Sequence, residues 1–362
     1  MRILIYLSHP AQFLFYKNPV KKLRENGNII FILIKTKDVL GSLLDEAGWE
    51  YVNILPEGSG KSKLSAIWSL LNRNLKILRF ARQNKVELMM GSDASLAHAG
   101  KLLSIPIVTT LEDDYTVIRN LARLTFPFTS HILVPEVCNV GKWDKKKIGY
   151  PGYMKLAYLH PYWFKPDPLK AGVNLNTPYF LIRLSGLSAY HDFGIKGINH
   201  ELLDKIIEKF AKYGRVFISS EKKLASKYQA YMLSIPVSNI HHCLAFASMI
   251  ICDSQSMAME AAILGTPGIR ISSFSGKISV LEELEHQYGL AHGFQPDEDE
   301  YILQRITELL EIPDLRQIYH RRLDKMLADK IDVTSYLVWF IENLPFSVET
   351  IKKNPAYVER FL

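Results

Sequence analysis

The chain has 362 residues, about twice the length of a typical domain, which predicts two domains and a core that needs no disulfide or metal for its stability. Hydrophobic residues make up 48% of the chain and charged residues 22%, a balance that excludes a largely disordered protein. The 44 basic and 37 acidic residues give a net charge of +7, which fits an anionic ligand, a membrane surface or nucleic acid and selects none of them.

Short apolar runs alternate with longer amphipathic segments in the first half of the chain. The apolar runs predict strands at 3–7, 29–34, 51–55, 87–90, 107–110 and 132–134. The amphipathic segments predict helices at 13–25, 39–47, 64–83 and 94–103. Strands that alternate with helices imply parallel pairing in a doubly wound sheet, and fully apolar strands agree because such sheets are covered on both faces.

The alternation stops between Cys138 and Pro178, where the charge run 142–147 is followed by five prolines, and it then resumes. We interpret this stretch as an interdomain connection. The predicted organisation is α/β, with an N-terminal Rossmann-like domain over 1–165 and a C-terminal Rossmann-like domain over 166–332 that face each other across a cleft. A helical tail over 333–362 is expected to pack back on the N-terminal domain.

The loops after the first-domain strands supply three candidates for a general base, because ligands of such sheets bind beyond the carboxyl ends of the strands. His9 follows the first strand, and its alternative role is that of a surface residue. Asp93 follows another strand, and its alternative role is that of a helix N-cap. Glu112 is the first choice, since Asp113 and Asp114 lie beside it and adjacent carboxylates disfavour one another's charge. A solvated acidic loop is the alternative for Glu112.

Metal binding is not expected. The acidic triplet that begins at Glu112 lacks the Asp-x-Asp spacing of a metal-dependent sugar-nucleotide site, and His241 and His242 are neighbours on a helix, where they point about 100° apart. The lysine-rich run 142–147 lies near Trp143 and Tyr150, so it is a candidate for lipid contact, with a solvated loop as its alternative. No nucleic-acid-binding module is recognisable, and nucleic acid is not an expected partner.

The cysteine count and the apolar segments bear on the compartment. The three cysteines form no Cys-x-x-Cys pair, and a sparse, odd count is typical of a reducing compartment. No stretch approaches the ~18 apolar residues of a membrane span. We therefore expect a cytoplasmic protein, with membrane contact only peripheral and at the inner face.

The segment 252–267 carries the strongest functional signal. A strand ends at Cys252, and a small polar turn opens a helix whose N-terminal amides can meet a phosphate. Glu260 lies about two turns into this helix, where a carboxylate can accept both hydroxyls of a ribose. The alternative for Glu260 is an ordinary surface carboxylate.

This segment resembles the nucleotide-sugar motif of the GT-B superfamily, which includes glycosyltransferases and the non-hydrolysing UDP-N-acetylglucosamine 2-epimerases. The whole chain resembles an uncharacterised bacterial and archaeal family of predicted GT-B glycosyltransferases that is related to these epimerases. The matching stretches are 7–11, 91–98, 152–161, 182–192 and 253–270.

The resemblance implies a donor site on the second domain and an acceptor site on the first. Residues implied to hold the donor are Arg183, Ser185, His191, Ser254, Gln255, Ser256, Met257 and Glu260. The four residues from Ser254 to Met257 would hold the diphosphate, and Glu260 would hold the ribose. The loop from Arg183 to His191 would approach the diphosphate or the sugar. The implied activity is metal-independent transfer of a sugar from a nucleotide donor, UDP-linked, to a cell-surface polysaccharide or glycolipid precursor, with no further cofactor.

Epimerisation is the second hypothesis. The epimerases' Gly-Asp motif resembles the stretch from Gly91 to Asp93, and their catalytic glutamate resembles Glu112. This chain departs from them at Gln255 and Ser256, where they have two glycines, and it lacks the arginines beside their loop histidine. A binding protein that keeps the fold without the chemistry is the third hypothesis.

Overall fold

The computed structural model describes residues 1–35, 40–55, 63–186 and 197–362, with the side chains of 63–67 left aside. The chain divides into two compact units, one formed by Met1–Tyr158 together with Lys330–Leu362 and the other by Leu159–Asp329. Each unit contains one parallel β-sheet with helices between its strands. The predicted α/β class with two doubly wound sheets is confirmed.

The first unit has a seven-stranded sheet in the order β3-β2-β1-β4-β5-β6-β7, in which neighbouring strands pair in parallel. Its strands are β1 Arg2–Leu7, β2 Ile29–Lys35, β3 Val52–Leu55, β4 Leu88–Met90, β5 Ile107–Thr110, β6 His131–Pro135 and β7 Lys147–Tyr150. Strand β7 corrects the sequence analysis, which assigned it to the interdomain connection. Lys147 begins this strand and donates from Nζ to the carbonyls of Glu136 and Cys138, at 2.8 and 2.7 Å, which ties β7 to the turn after β6.

Helices cover both faces of this sheet. They are α1 Pro10–Glu25, α2 Leu40–Glu46, α3 Lys63–Gln83, α4 Ala94–Leu103 and α5 Arg119–Thr125, with a short α6 at Leu156–Leu159. Because connections between parallel strands are right-handed, α1 and α2 lie on one face and α3, α4 and α5 on the other. The central strand β1 is buried from Ile3 to Leu7, as a strand covered on both sides must be.

The second unit has a five-stranded sheet in the order β12-β11-β10-β8-β9, again paired in parallel. Its strands are β8 Tyr179–Leu184, β9 Arg215–Ser220, β10 Met249–Cys252, β11 Gly268–Ile271 and β12 His292–Phe294. Its helices are α7 His200–Ala211, α8 Ile240–Phe246, α9 Gln255–Ile263, α10 Ser279–His286, α11 Asp299–Glu311 and α12 Leu315–Asp329. Phe180 of β8 stacks on Phe210 of α7 at 4.3 Å in the core of this unit.

The last two helices, α13 Val333–Glu342 and α14 Phe346–Lys353, belong to the first unit. The carbonyl oxygen of Ala157 accepts hydrogen bonds from Asn18 of α1 at 2.9 Å and from Thr334 of α13 at 2.7 Å. Glu342 at the end of α13 accepts from Asn26 and Asn28, which follow α1. Helix α13 therefore packs against α1 and completes that face of the sheet.

Each sheet has one place where the strand order reverses direction. In the first sheet this place lies between β1 and β4, and we call it the first switch point. In the second sheet it lies between β8 and β10, and we call it the second switch point. The loops on either side of such a reversal diverge to opposite faces and leave room beyond the carboxyl ends of the strands, which is where open α/β sheets bind ligands.

Candidate functional site

The first switch point is bounded by the loops that follow β1 and β4, and one glutamine joins them. Gln12 accepts the amide of His9 at 3.2 Å, and its own side-chain amide donates to the hydroxyl of Ser92 at 2.6 Å. Gly91 opens the second loop with a φ of 144°, and a Cβ there would lie 2.7 Å from a carbonyl oxygen of β1. The two loops therefore form one fixed polar edge, which brings His9 and Asp93 to the same side of the sheet.

His9 is exposed and caps the N-terminus of α1. Its Nδ1 accepts the backbone amide of Ala11 at 3.2 Å, so this nitrogen carries no proton and the neutral imidazole is protonated at Nε2. The lone pair of Nδ1 is used by this cap bond, so His9 can accept a proton at Nδ1 only after the bond is given up.

Asp93 caps α4, with Oδ1 accepting the amide of Ser95 at 2.8 Å. Lys35 Nζ lies 3.9 Å from Oδ2 and Arg73 Nη2 lies 4.0 Å from Oδ1, so two cations converge on one carboxylate. Burial, and secondarily the charge of Asp93, raises the pKa of the Tyr6 phenol nearby. An excess of positive charge with a single acid is an environment that favours an anionic substrate group.

Glu112 lies just beyond β5 and is buried. One of its oxygens is paired with Lys155, which is also buried, and the other accepts the amide of Met154 at 3.0 Å. Its neighbour Asp114 accepts the amide of Asn139 at 2.7 Å. Glu112 and Asp114 therefore have separate partners, which relieves at these two positions the mutual repulsion that the sequence suggested. A catalytic role for Glu112 stays a prediction.

The second switch point is closed by a short contact between its two loops. Ser185, after β8, donates from its backbone amide and its hydroxyl to Oδ1 of Asp253, after β10, at 2.6 and 2.8 Å. A Cβ at Gly197 would lie 2.5 Å from Oδ2 of Asp253, so this carboxylate also packs closely against backbone. Burial raises the pKa of Asp253, and the two bonds from Ser185 oppose that rise.

Helix α9 begins directly after Asp253. Ser254 is its N-cap and accepts the amide of Met257 at 3.3 Å. Ser254, Gln255 and Ser256 are partly exposed, whereas Met257 is buried. Within the described part of the chain, no acceptor meets the backbone amides of Gln255 and Ser256. These two donors at a positive helix end can bind an anionic ligand.

Arg270 is a functional candidate that the sequence analysis missed. It is fully buried in β11, and its Nη1 donates to Oε1 of Gln255 at 2.6 Å. The side-chain amide of Gln255 in turn donates from Nε2 to the hydroxyl of Ser272 at 2.9 Å. Nη2 of Arg270 lies 3.5 Å from Oε1 of Glu282. Arg270 therefore fixes the first residue of α9. An arginine within an otherwise apolar strand is the signal that could have indicated it.

Glu260 is buried on the side of α9 that meets α8. Its Oε1 lies 3.2 Å from Nε2 of His241, which is buried on α8. The alternative of an exposed surface carboxylate therefore does not hold. His242, the next residue, accepts the amide of Asp167 at Nδ1, at 2.9 Å, so the two histidines have different partners.

Arg183 lies at the carboxyl end of β8 and turns toward β9. It donates from Nη1 to the hydroxyl of Ser219 at 2.7 Å, and its Nη2 is paired with Glu221. Its Nε is buried and has no hydrogen-bond partner among the residues that the structure describes. His191, the last of the residues predicted to bind the nucleotide-sugar donor, lies outside the described residues.

Among the described residues, no group of three or more histidine, cysteine or acidic side chains has an arrangement that would hold a metal ion. No helix in the same part of the chain is long and apolar enough to span a bilayer.

Solved structures that resemble this chain share its fold at low sequence identity. A UDP-GlcNAc 2-epimerase from Neisseria meningitidis bound to UDP-GlcNAc is 16% identical, with a TM-score of 0.71 over 98% of this chain and 100% of that chain. MurG from Acinetobacter baumannii is 15% identical, with a TM-score of 0.59 over 95% and 100%. The spinosyn rhamnosyltransferase SpnG complexed with thymidine diphosphate is 16% identical, with a TM-score of 0.60 over 95% and 100%.

Two doubly wound parallel sheets and these neighbours define the class: the protein has the GT-B fold, as the sequence resemblance implied. No curated protein gives a significant match. The chain belongs to the family described as protein of unknown function DUF354, whose model matches residues 1–287.

Proposed function

We propose that this protein is a glycosyltransferase that moves a sugar from a UDP-linked donor to a cell-surface polysaccharide or glycolipid precursor. The observation that carries the proposal is the second switch point, where the loops after β8 and β10 are bonded together. Beside them lie the backbone amides of Gln255 and Ser256, which meet no acceptor among the described residues. Similar folds hold UDP-GlcNAc and thymidine diphosphate, as the names of those structures state. A nucleotide sugar also fits the reducing, cytoplasmic compartment that the cysteine count favours.

The donor would be held by α9 and its neighbours. The amides of Gln255 and Ser256 would bind the diphosphate at the positive end of the helix, with the cap residue Ser254 and buried Met257 fixing the turn. Glu260, positioned by His241, would accept the ribose hydroxyls. In a reaction without a metal, these helix amides must offset the charge that develops on the leaving diphosphate.

Arg183 has a conditional part in this proposal. Its guanidinium is engaged by Glu221 and Ser219, so it can approach the leaving group only if that pairing is exchanged for the ligand. The buried Nε, which lacks a partner among the described residues, supports such an exchange. Ser185 would act through Asp253, and His191 is retained from the sequence resemblance.

The acceptor hydroxyl would be deprotonated on the first unit, with Glu112, Asp93 and His9 as the candidates. Asp93 and His9 border the first switch point, whereas Glu112 lies one strand further along and is buried with Lys155. The cations Lys35 and Arg73 around Asp93 favour an acceptor that carries a negative group.

Epimerisation of a nucleotide sugar is the second candidate function. The TM-score of 0.71 to an epimerase exceeds the scores of 0.59 and 0.60 to the two transferases. Against it stand Gln255 and Ser256, since Gln255 fills with a side chain the space that a glycine leaves open. A binding protein without catalytic activity is the third candidate.

One set of measurements separates these functions. Calorimetric titration with UDP, TDP, GDP and ADP would identify the base, and we expect UDP to bind most tightly. A transferase releases the nucleoside diphosphate only when acceptor is present and remains active in excess chelator. An epimerase exchanges the hydrogen at sugar C2 with deuterated water without an acceptor. Absence of binding to every nucleotide and nucleotide sugar would refute both enzymatic functions.

A further inference from the structure

The outer surface of α3, α4 and α5 exposes an unusual number of large apolar side chains. Trp68 is 73% exposed, Leu75 54%, Leu102 70% and Leu124 50%. We define the apolar face as Trp68, Leu71, Leu75, Leu102, Leu124 and Phe128. Exposed apolar residues that are scattered singly need no explanation, but a continuous group on one surface marks an interaction site.

The apolar face is continuous because a histidine joins its three helices. His98 of α4 lies 3.3 Å from Asn74 of α3 through Nδ1 and 2.8 Å from the carbonyl oxygen of Leu124 through Nε2. Its ring also packs edge-on against Phe128 at 4.5 Å. The exposed leucines of α3 and α5 therefore lie on either side of His98, and Leu102 lies one turn beyond His98 on α4.

The charge on this surface has a single sign. Residues 63–86, 94–111 and 115–135, which include all of α3, α4 and α5, contain no aspartate or glutamate. Exposed cations on these helices are Arg79, Arg82, Lys101, Arg119 and Arg123. By contrast, α11 on the second unit carries acids at both ends. The helices that carry the apolar face therefore bear positive charge alone.

We propose that the apolar face docks on an anionic lipid bilayer. Apolar side chains bordered by arginine and lysine match the boundary between acyl chains and negatively charged headgroups. A second copy of the same surface is a poorer occupant, because a symmetric contact would place cations against cations. This inference does not depend on the reaction proposed above. It places lipid contact on α3–α5 with the run 142–147 at the border, because Nζ of Lys146 donates to the carbonyls of Phe126 and Thr129, on either side of Phe128, at 2.8 and 2.7 Å.

The test is binding of the full chain to vesicles. We expect binding to phosphatidylcholine vesicles that contain phosphatidylglycerol, weak binding to phosphatidylcholine alone, and release by salt. The double variant Leu75→Gln/Leu124→Gln should bind at least about tenfold more weakly, because two apolar contacts are lost. Arg119→Gln/Arg123→Gln should lose about tenfold or more, since each cation near a charged bilayer contributes about 1 kcal/mol.

Matched variants on the second unit provide the controls. Leu169→Gln/Leu175→Gln changes two exposed leucines, and Arg321→Gln/Lys325→Gln removes two exposed cations. Both should bind as the parent chain does. The proposal is refuted if the parent does not bind anionic vesicles at low salt, if it binds neutral vesicles equally, or if the controls lose as much binding as the test pairs. Self-association in sedimentation experiments that Leu75→Gln/Leu124→Gln abolishes would instead assign the face to a second copy.

Discussion

Ser185 and Asp253 are joined by two hydrogen bonds to a single carboxylate oxygen, at 2.6 Å from the backbone amide and 2.8 Å from the hydroxyl. The contact connects the ends of β8 and β10 across the second switch point. It fixes the loop after β8 relative to the turn that opens α9. Since that turn is the proposed diphosphate site, the bond pair controls how well the site is formed before a ligand arrives.

Removal of the serine hydroxyl tests this positioning role. Ser185→Ala should lower the free energy of unfolding by about 1 kcal/mol, because a buried carboxylate loses one of its donors. UDP affinity should fall with it, although the amide bond to Asp253 remains. Chemical denaturation and calorimetry measure the two effects. Ser238→Ala, at an exposed serine, is the control, and equal affinities in all three proteins would exclude the role.

The buried pair Glu112–Lys155 predicts a strongly coupled effect on stability. Glu112→Gln or Lys155→Met alone should cost about 3–5 kcal/mol, since each leaves a buried charge without its partner. The double variant should cost much less than the sum of the two. Denaturation of the four proteins gives the coupling energy directly, and additive losses would show that the pair is not a stabilising unit.

The same substitution tests the catalytic prediction for Glu112. If Glu112 is the general base, Glu112→Gln should reduce turnover by ~10²–10⁴-fold while UDP affinity stays unchanged. Asp93→Asn and His9→Gln are assayed in parallel, under conditions where each variant is folded. Near-normal turnover in Glu112→Gln with a large drop in either of the others would transfer the role to the first switch point.

Glu260 gives a prediction for the donor site. Glu260→Ala should weaken nucleotide binding by about tenfold or more, because a charged hydrogen bond contributes ~1.5–3 kcal/mol. His241→Gln should have a smaller effect, as the carboxylate remains but loses its fixed partner. Glu208→Ala, at an exposed glutamate of α7 in the same unit, is the matched control. Unchanged affinity in Glu260→Ala, measured by calorimetry, would remove it from the site.

His292 predicts a dependence of stability on pH. Burial, assisted by Arg305 and Arg322, lowers the pKa of His292 from 6.5 to about 4, and its Nε2 lies 2.8 Å from the hydroxyl of Tyr319. Between these values the unfolded chain binds a proton that the folded chain does not, so stability rises with pH across this window. The contribution of His292 to the free energy of unfolding is fully present above about pH 6.5. As the pH falls toward 4, about 1–3 kcal/mol of it is lost. Denaturation at several pH values should show a shallower slope for His292→Gln than for the parent, and identical slopes would contradict the assignment.

The sequence predicts most of the fold, because the apolar runs of a doubly wound sheet are local signals. Strand β1 and the end of β10 at Cys252 are found in this way. Strand β7 is not, since its four residues begin with a lysine whose ammonium group donates to carbonyls of the preceding turn, a contact that no local pattern shows. Helix α5 is also missed, because its seven residues give little periodicity and its exposed positions mix Leu121 and Leu124 with arginines.

The candidate site is predictable in its location but not in its pairings. The positions of Asp93, Glu112 and Asp253 follow from the rule that ligand loops succeed the strands. Their partners do not, because Lys155 lies 43 residues from Glu112 and Ser185 lies 68 residues from Asp253. Such contacts depend on which strands become neighbours, and no local pattern of residues encodes that.

The packing of α13 against α1 has a consequence for the order in which the protein is made. During synthesis the N-terminal sheet emerges first, yet α1 receives its covering helix only after all of the second unit has been translated. Until then, the carbonyl of Ala157 lacks its bond from Thr334. A chain cut after Asp329 would consequently keep every residue of the second unit and leave the first one unfinished, so we expect a nascent first unit to expose apolar surface to chaperones for longer than the second.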